Sequence, residues 1–422
     1  MQFVFQTVVV AALLATGTHG SAQVPAPPGA NVESLLSLAK ERNPDYAAMR
    51  YEAIAADERV LPASALMNPR FKMELEDITK SGTQNPALFP SDVGSTRYTV
   101  SQDLPWIGKR ALRREIAAQE SEVARGRGGQ IWSELAVRIK TVFIQRFQVK
   151  ATERLVKENL DLMLQLEKVM QVRYASGLAG QQDITRIHVE HTGMRSELAA
   201  LAGEWRQSQS RLNALLARPM DTPLATPEKL RTLPESSQLE FDALAQRVRK
   251  ANPLMLVEAA RVKSAEKVSE LSRTNRYPDF TLGVNAIQRT GAVNDWGVML
   301  EFNLPIQGDV LRSQEREAQA MQAAAQSRQE AISNQVLAEL SENLSALEAA
   351  RQTEHLMTYS LMPQADLTWR AALAGYENGK ADFATLLDAQ RQIRQARLGQ
   401  LKAQVDAQLR LAEVERLLGE DL

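Results

Sequence analysis

Cysteine is absent from the 422 residues of the sequence. The chain therefore has no disulfide, no thiolate ligand for a metal, no cysteine nucleophile and no cysteine to carry a lipid anchor. An excess of one charge is also missing, because 50 Lys and Arg residues stand against 51 Asp and Glu residues. Since no global positive field exists to hold phosphates, we expect no nucleic-acid partner.

Long hydrophobic runs are equally scarce. Residues 1–22 contain a short apolar core from Val8 to Ala15 and end on small residues before Gln23, which is typical of a signal peptide, although no Lys or Arg precedes the core. The alternative is a short buried helix. No other stretch reaches the ~18 apolar residues that a membrane-spanning helix requires. An exported product would then be soluble, peripheral or a β-barrel.

Catalytic and ligand-binding motifs are missing as well. His188 and His191 lie on one predicted helix with Glu190 between them, but two imidazoles are too few for a closed zinc site. The glycine cluster at 126–129 lacks the preceding strand and the lysine of a phosphate-binding loop, and no nucleophile elbow is present. We predict that the chain is not an enzyme and has no catalytic residue, cofactor or bound structural metal.

Two halves of the chain carry the same landmarks in the same order. Each landmark recurs roughly 200 positions later: Asn43-Pro44 as Asn252-Pro253, Pro69 as Pro278, Leu104-Pro105 as Leu304-Pro305, and Tyr174 as Tyr376. Between the halves, prolines at 219, 223, 227 and 234 discourage continuous helix. This pattern predicts repeat 1 at residues 23–218, a proline-rich linker at 219–239 and repeat 2 at 240–422.

Each half begins with two segments of alternating polarity. In the first, Phe71, Met73 and Leu75 alternate with charged residues, which predicts strands at about 69–78 and 96–104 and, in the second half, at about 279–289 and 295–304. Such strands suit either a half-buried hairpin or a membrane barrel with lipid outside. Four strands cannot close a barrel of useful bore, so the membrane interpretation requires several chains.

The remaining segments are rich in good helix formers, and they predict long helices at 108–173, 181–217, 308–375 and 382–418. At 1.5 Å per residue, a helix of this length extends ~100 Å, far beyond a compact domain. The glycines at 126–129 and Pro363 predict a kink or break in two of these helices. Gly177 and Gly379 mark two turns at which a long helix ends and another runs back.

Three segments resemble recurring segments of the TolC family of outer-membrane efflux channels, and the first is similar to the cobalt–zinc–cadmium type: SQDLPWIGKRALRREIAAQE at 101–120, YASGLAGQQDITRIHVE at 174–190 and YENGKADFATLLDAQRQ at 376–392. The resemblance implies a mixed α and β membrane protein, a homotrimer in which four strands per chain complete a 12-strand β-barrel, continued by a long α-helical periplasmic tunnel. It implies an outer-membrane location in a Gram-negative bacterium, contact with outer-membrane lipid, and retention by the barrel alone, with the segment from Gln23 loosely packed outside the tube.

The same resemblance implies a passive exit duct that receives substrate from an inner-membrane RND pump through a periplasmic adaptor (membrane fusion protein). Divalent heavy-metal cations are the expected substrates, and drugs, other organic compounds or type I secretion are the alternatives. The adaptor is expected to dock on the hairpin tips, at Gly177, Leu178, Gly379 and Lys380. A plain turn is the alternative for these residues.

The resemblance also locates a candidate gate. Where the family often has two aspartates one helical turn apart, this sequence has Thr385 and Asp388, so a trimer would keep one acidic ring. Asp183 and Tyr376 occupy positions of gate-closing contacts, but the arginine expected nearby is Ala381, which predicts a weaker lock. A solvated helix face is the alternative for both aspartates. A periplasmic coiled-coil adaptor or a cytoplasmic scaffold would explain the helices but leaves the paired repeats and strands without a purpose.

Overall fold

The computed structural model describes residues 27–79, 86, 88–289 and 291–422, so the predicted signal peptide lies outside the described residues. The first half contains α1 (Val32–Arg42), α2 (Pro44–Glu58), α3 (Val60–Ser64), β1 (Arg70–Glu76), β2 (Ser95–Leu104), α4 (Lys109–Ala175) and α5 (Gln181–Leu215). The second half contains α6 (Phe241–Ala251), α7 (Pro253–Thr274), β3 (Phe280–Arg289), β4 (Ala292–Phe302), α8 (Gly308–Leu356), α9 (Met362–Glu377) and α10 (Phe383–Leu418). In both halves, short helices precede a strand pair and a long helical hairpin.

The four strands form one antiparallel sheet in the order β1-β2-β3-β4, and the β2–β3 pair joins the two halves of the chain. Strand alternation sends successive side chains to opposite faces of this sheet. One face carries the aligned row Phe71, Val100, Val284 and Val298, followed by a row that includes Trp296. These apolar side chains are exposed, and Val298 retains 82% of its accessible surface. The face is therefore not the buried side of an ordinary hairpin.

The opposite face of the sheet is polar and internally hydrogen-bonded. Asp103 accepts hydrogen bonds from Arg70 at 2.6 Å and from the Thr281 hydroxyl at 2.7 Å, which links three strands. Lys72, Thr99 and Asn285 lie in one aligned row on this face. The sheet thus exposes a largely apolar surface, interrupted by Gln102 and Gln288, and a largely polar surface on its other side.

A kink or break was predicted at the glycines, and helix α4 runs without interruption through Gly126, so no break occurs there. The glycine serves packing instead, because a Cβ atom at this position would lie 2.6 Å from a methyl group of Val257 on α7. Gly129 similarly faces Pro253, at the start of α7. Among the described residues, no helix is both long enough and apolar enough to cross a membrane.

The break predicted at Pro363 is confirmed. A π-helical segment, Met357–Leu361, separates α8 from α9, and Pro363 lies in the first turn of α9. Proline has no N–H to donate and its ring clashes with the preceding turn, so the hydrogen-bond ladder is reset there. The second long helix is consequently two helices joined by a π turn.

The segment that precedes the first strand is packed, which corrects the prediction of a loose N-terminal segment for residues from 27 onward. Leu35 and Ala39 of α1 are fully buried in a cluster with Ile139 and Phe143 of α4. The backbone N–H of Ala225 in the linker donates to the carbonyl of Pro28 at 3.0 Å. Helix α1 and the linker therefore form a belt against the middle of the long helices.

Candidate functional site at the hairpin tips

The first hairpin turn, between α4 and α5, is a Schellman motif. Gly177 adopts φ +71°, its N–H donates to the Tyr174 carbonyl at 3.0 Å, and the Leu178 N–H donates to the Arg173 carbonyl at 2.8 Å. Glycine is required because a side chain is strained at positive φ. Leu178 is 75% exposed at the tip, beyond the last turn of α4.

The second turn, between α9 and α10, repeats this geometry. Gly379 has φ +69°, its N–H donates to the Tyr376 carbonyl at 3.1 Å, and the Lys380 N–H donates to the Gly375 carbonyl at 2.8 Å. Gly379 and Lys380 are exposed. Two turns from different halves thus present the same backbone shape, one with an apolar residue at the end and one with a cationic residue.

Thr385 is engaged by the cap of α10. The Asp382 carboxylate accepts from the Thr385 hydroxyl at 2.7 Å and from the Thr385 N–H at 2.9 Å. The hydroxyl bond and then the backbone bond hold the pKa of Asp382 below its ordinary value of 3.8. Thr385 is exposed, but its hydroxyl serves the helix N-terminus.

Tyr376 is buried and ties the two hairpins together within one chain. Its ring packs against Phe383, and the guanidinium of Arg173 lies 4.5 Å from the ring centroid. Arg173 also donates to the backbone carbonyls of Tyr376 and Glu377, both at 3.2 Å, and so satisfies acceptors at the C-terminus of α9. Sequence reasoning noted the missing arginine at Ala381 and overlooked Arg173, which supplies a cation to the same tyrosine.

Asp388 is exposed on α10, one turn after Thr385. Its carboxylate lies 3.4 Å from the guanidinium of Arg391, whose Nε donates at 3.1 Å to Glu190 of α5. The hydrogen bond with Glu190, and then the nearby charge of that carboxylate, raise the pKa of Arg391. This acid–base–acid series bridges the two hairpins. The spacing of three residues between Asp388 and Arg391 indicates an ion pair on one helix and could have been read from the sequence. The contact of Arg391 with Glu190 could not, because it depends on the register of α10 against α5.

Asp183 lies at the start of α5, half-buried, with its carboxylate 3.9 Å from the Arg186 guanidinium. The charge of Arg186 also contributes, as a smaller cause, to the lowered pKa of Asp382 on the other hairpin. Arg186 therefore acts electrostatically on both aspartates, although its contact is with Asp183. The structure places the two predicted pairs, Asp183 with Tyr376 and Thr385 with Asp388, along the same end of the helices.

The two predicted histidines share one carboxylate. Glu167 of α4 lies 3.0 Å from Nε2 of His188 and 3.1 Å from Nδ1 of His191. Within the described part of the chain, no group of three or more acidic or histidine side chains is arranged to hold a metal ion. The cluster joins α4 to α5 below the first tip.

A family model for outer membrane efflux proteins matches residues 35–218 and again 244–420, which together make up most of the chain. The chain belongs to the outer membrane efflux protein family. The resemblance drawn from the sequence is confirmed. Members of this family are outer-membrane channels, so the chain is an efflux channel component of the outer membrane and its long helices lie in the periplasm.

Two curated relatives of this efflux protein match over most of their length. The cobalt-zinc-cadmium resistance protein CzcC of Cupriavidus metallidurans is 24% identical, over 92% of this chain and 90% of the relative. The pyoverdine export outer membrane protein OpmQ of Pseudomonas putida is 22% identical, over 89% of this chain and 82% of the relative. A crystal structure of CusC shares the fold, with a TM-score of 0.78 at 15% identity and 92% coverage of both chains.

Proposed function

We propose that three copies of the chain form one channel, with four strands each in a 12-strand barrel. The observation that carries this proposal is the sheet: its apolar face is exposed, and among the described strands β1 pairs only with β2 and β4 only with β3. In lipid, a free strand edge leaves backbone groups without partners, at several kcal/mol each. Pairing of β1 with β4 of the next copy removes both edges. The helices then continue the barrel as a tunnel.

The tunnel is a passive exit duct. A periplasmic adaptor docks on the two tips and connects them to an inner-membrane RND pump that delivers the substrate. The identical Schellman turns support this role, because they present Leu178 and Lys380 on equivalent backbones and offer an adaptor a repeated surface of six tips per trimer. Divalent heavy-metal cations are the favoured cargo, since a cobalt-zinc-cadmium resistance protein is among the relatives.

A second cargo class has support of its own. The relative that exports pyoverdine is matched over 89% of this chain, which favours an organic compound as the alternative substrate. The two cargo classes can be distinguished in cells that express the channel together with the pump and adaptor encoded beside it. Resistance of these cells to Co²⁺, Zn²⁺ and Cd²⁺ supports metal export. Resistance to organic compounds alone contradicts it.

Asp388, Thr385 and the Arg391–Glu190 pair form the gate at the tunnel end. Three Asp388 carboxylates around the axis hold cations in the closed aperture. Asp388 is exposed, and the nearby Arg391 forms its shorter ion pair with Glu190, which leaves the charge of Asp388 only partly neutralised. Tyr376 and Asp183 act behind it: Arg173 holds Tyr376 across the two hairpins, and Arg186 lies near Asp183 within α5.

Single-channel recording in planar bilayers tests both the pore and the gate. The wild-type protein conducts with a unit conductance typical of one pore per trimer, and divalent cations block it from the side of the helices. Asp388→Asn weakens this block, while Asp366→Asn leaves it unchanged, because Asp366 is a half-buried aspartate on α9 that is paired with Arg370. No conductance at all contradicts the channel, and unchanged block in Asp388→Asn contradicts the gate alone.

A further inference from the structure

A cavity of about 800 Å³ lies among α2, α4, α7 and α8, far along the chain from both tips. Each of these helices contributes side chains from one face, within residues 52–59 at the end of α2 and its C-cap, 120–127 of α4, 261–268 of α7 and 318–328 of α8. In the first three ranges, the lining positions follow the same spacing of three, four and seven, which marks a single stripe on each helix. Helix α2 packs on α4, α4 on α7 and α7 on α8, so the four form a layer in that order. A cavity that both end helices, α2 and α8, line lies on the concave side of this layer.

The cavity carries more cations than anions. Its lining includes Arg59, Arg127, Arg261 and Arg328 but only two acids, Glu52 and Glu120. Arg261 is paired with Glu258 at 2.5 Å. Within the described residues, the other three guanidinium groups have no carboxylate within ion-pairing distance. Arg59, Arg127 and Arg328 are solvent-exposed, so three planar, bidentate donors border one open space without a carboxylate partner.

The remainder of the wall is apolar. Val123, Val268 and Met321 line the cavity, together with several alanines. A volume within the roughly 300–1,000 Å³ of small-molecule sites, an apolar wall and a few fixed polar groups are the features of an organic ligand site. Arginine favours carboxylate, sulfonate and phosphate groups because its fork matches their oxygens.

We propose that this cavity binds a small amphipathic organic anion, with an apolar body against Val123, Val268 and Met321 and an acidic group on Arg127 and Arg328. The inference rests on the proposed function to this extent, that the concave side of the helical layer faces the tunnel. A trimer then carries three such sites in its wall. The charge of the wall favours anions at this level, in contrast to the acidic ring at the tips.

Equilibrium dialysis of naphthalene-1,5-disulfonate against the purified trimer in detergent tests the site, with protein-free micelles as the blank. Loss of a charge-assisted hydrogen bond weakens binding by about tenfold or more, and we expect this increase in Kd for Arg127→Gln and for Arg328→Gln. Arg127→Lys keeps the charge and retains part of the affinity. The matched control is Arg125→Gln, because Arg125 pairs with Asp57 and Glu122 and does not line the cavity.

The inference would be overturned by unchanged affinity in both glutamine variants, by equal loss in Arg125→Gln, or by equal affinity for the neutral 1,5-dihydroxynaphthalene. Sulfate that competes as well as the disulfonate would also overturn it, because the apolar wall would then contribute nothing. Conductance of the same preparation in bilayers reports the pore separately. A conducting trimer without disulfonate binding refutes the site and leaves the channel intact, whereas binding without conductance refutes the channel.

Discussion

Replacement of Val298 by arginine tests which face of the sheet meets lipid. Val298 lies well inside the eleven-residue strand β4, is 82% exposed, and is aligned with Val284 and Val100 on the apolar face. An arginine near the bilayer midplane of a barrel costs about 2–4 kcal/mol. With three copies in the proposed trimer, the assembled barrel would lose about 6–12 kcal/mol.

The neighbouring residue provides the matched control. Met299 is opposite Gly283 on the polar face, so Met299→Arg introduces the same side chain one position away but toward water. We expect it to change the free energy of unfolding by less than about 1 kcal/mol. Urea titration of protein refolded into phospholipid vesicles measures both variants. Equal destabilisation by the two arginines, or a larger cost at Met299, would refute the assignment of the lipid face.

Three further predictions concern the tips. Arg173→Gln removes a cation–π contact and two hydrogen bonds to carbonyl groups. Amide exchange at 376–380 should therefore become faster, by an amount that corresponds to a loss of about 1–3 kcal/mol of protection, and Arg173→Lys should restore only part of that protection. Gly379→Ala should lower the unfolding free energy by about 1–2 kcal/mol because of its positive φ, whereas Gly193→Ala, inside α5 with open space around it, should not destabilise. The pKa of Asp382 is lowered in the folded chain, so its cap stabilises α10 fully at a pH above 3.8, the ordinary pKa of an aspartate. This stabilisation is lost as the pH falls through the lowered pKa of Asp382. Amide-exchange protection at 383–386, corrected for the intrinsic exchange rate at each pH, measures this loss, and Asp382→Asn should abolish the pH dependence of that protection.

Much of the architecture follows from short stretches of sequence. The alternation of Phe71, Met73 and Leu75 indicates a strand with two unlike faces, because a strand repeats every second residue. Val149, Val156, Met163 and Met170 recur every seven residues and are buried along one side of α4, as helix geometry requires. The glycine turns are equally local, since positive φ favours glycine at one position.

Other signals had two structural outcomes, and only packing decided between them. The glycines at 126 and 129 were consistent with a kink but permit the close approach of α7, while Pro363 does interrupt the helix because it removes a hydrogen bond whatever lies around it. The helices α1 and α2 were not predicted, because each is short and its few apolar residues give a pattern that also occurs in loops. Their helical structure depends on packing against α4.

The sequence alone determined the strands, the long helices, the turns and the family, because each depends on periodicity, backbone preference or residue patterns within a short window. Tertiary structure decided which groups meet. The Arg173–Tyr376 and Arg391–Glu190 contacts join positions about 200 residues apart, and the arginine-lined cavity needs four helices at once. Such contacts depend on the rotation and register of one helix against another, which no single segment encodes.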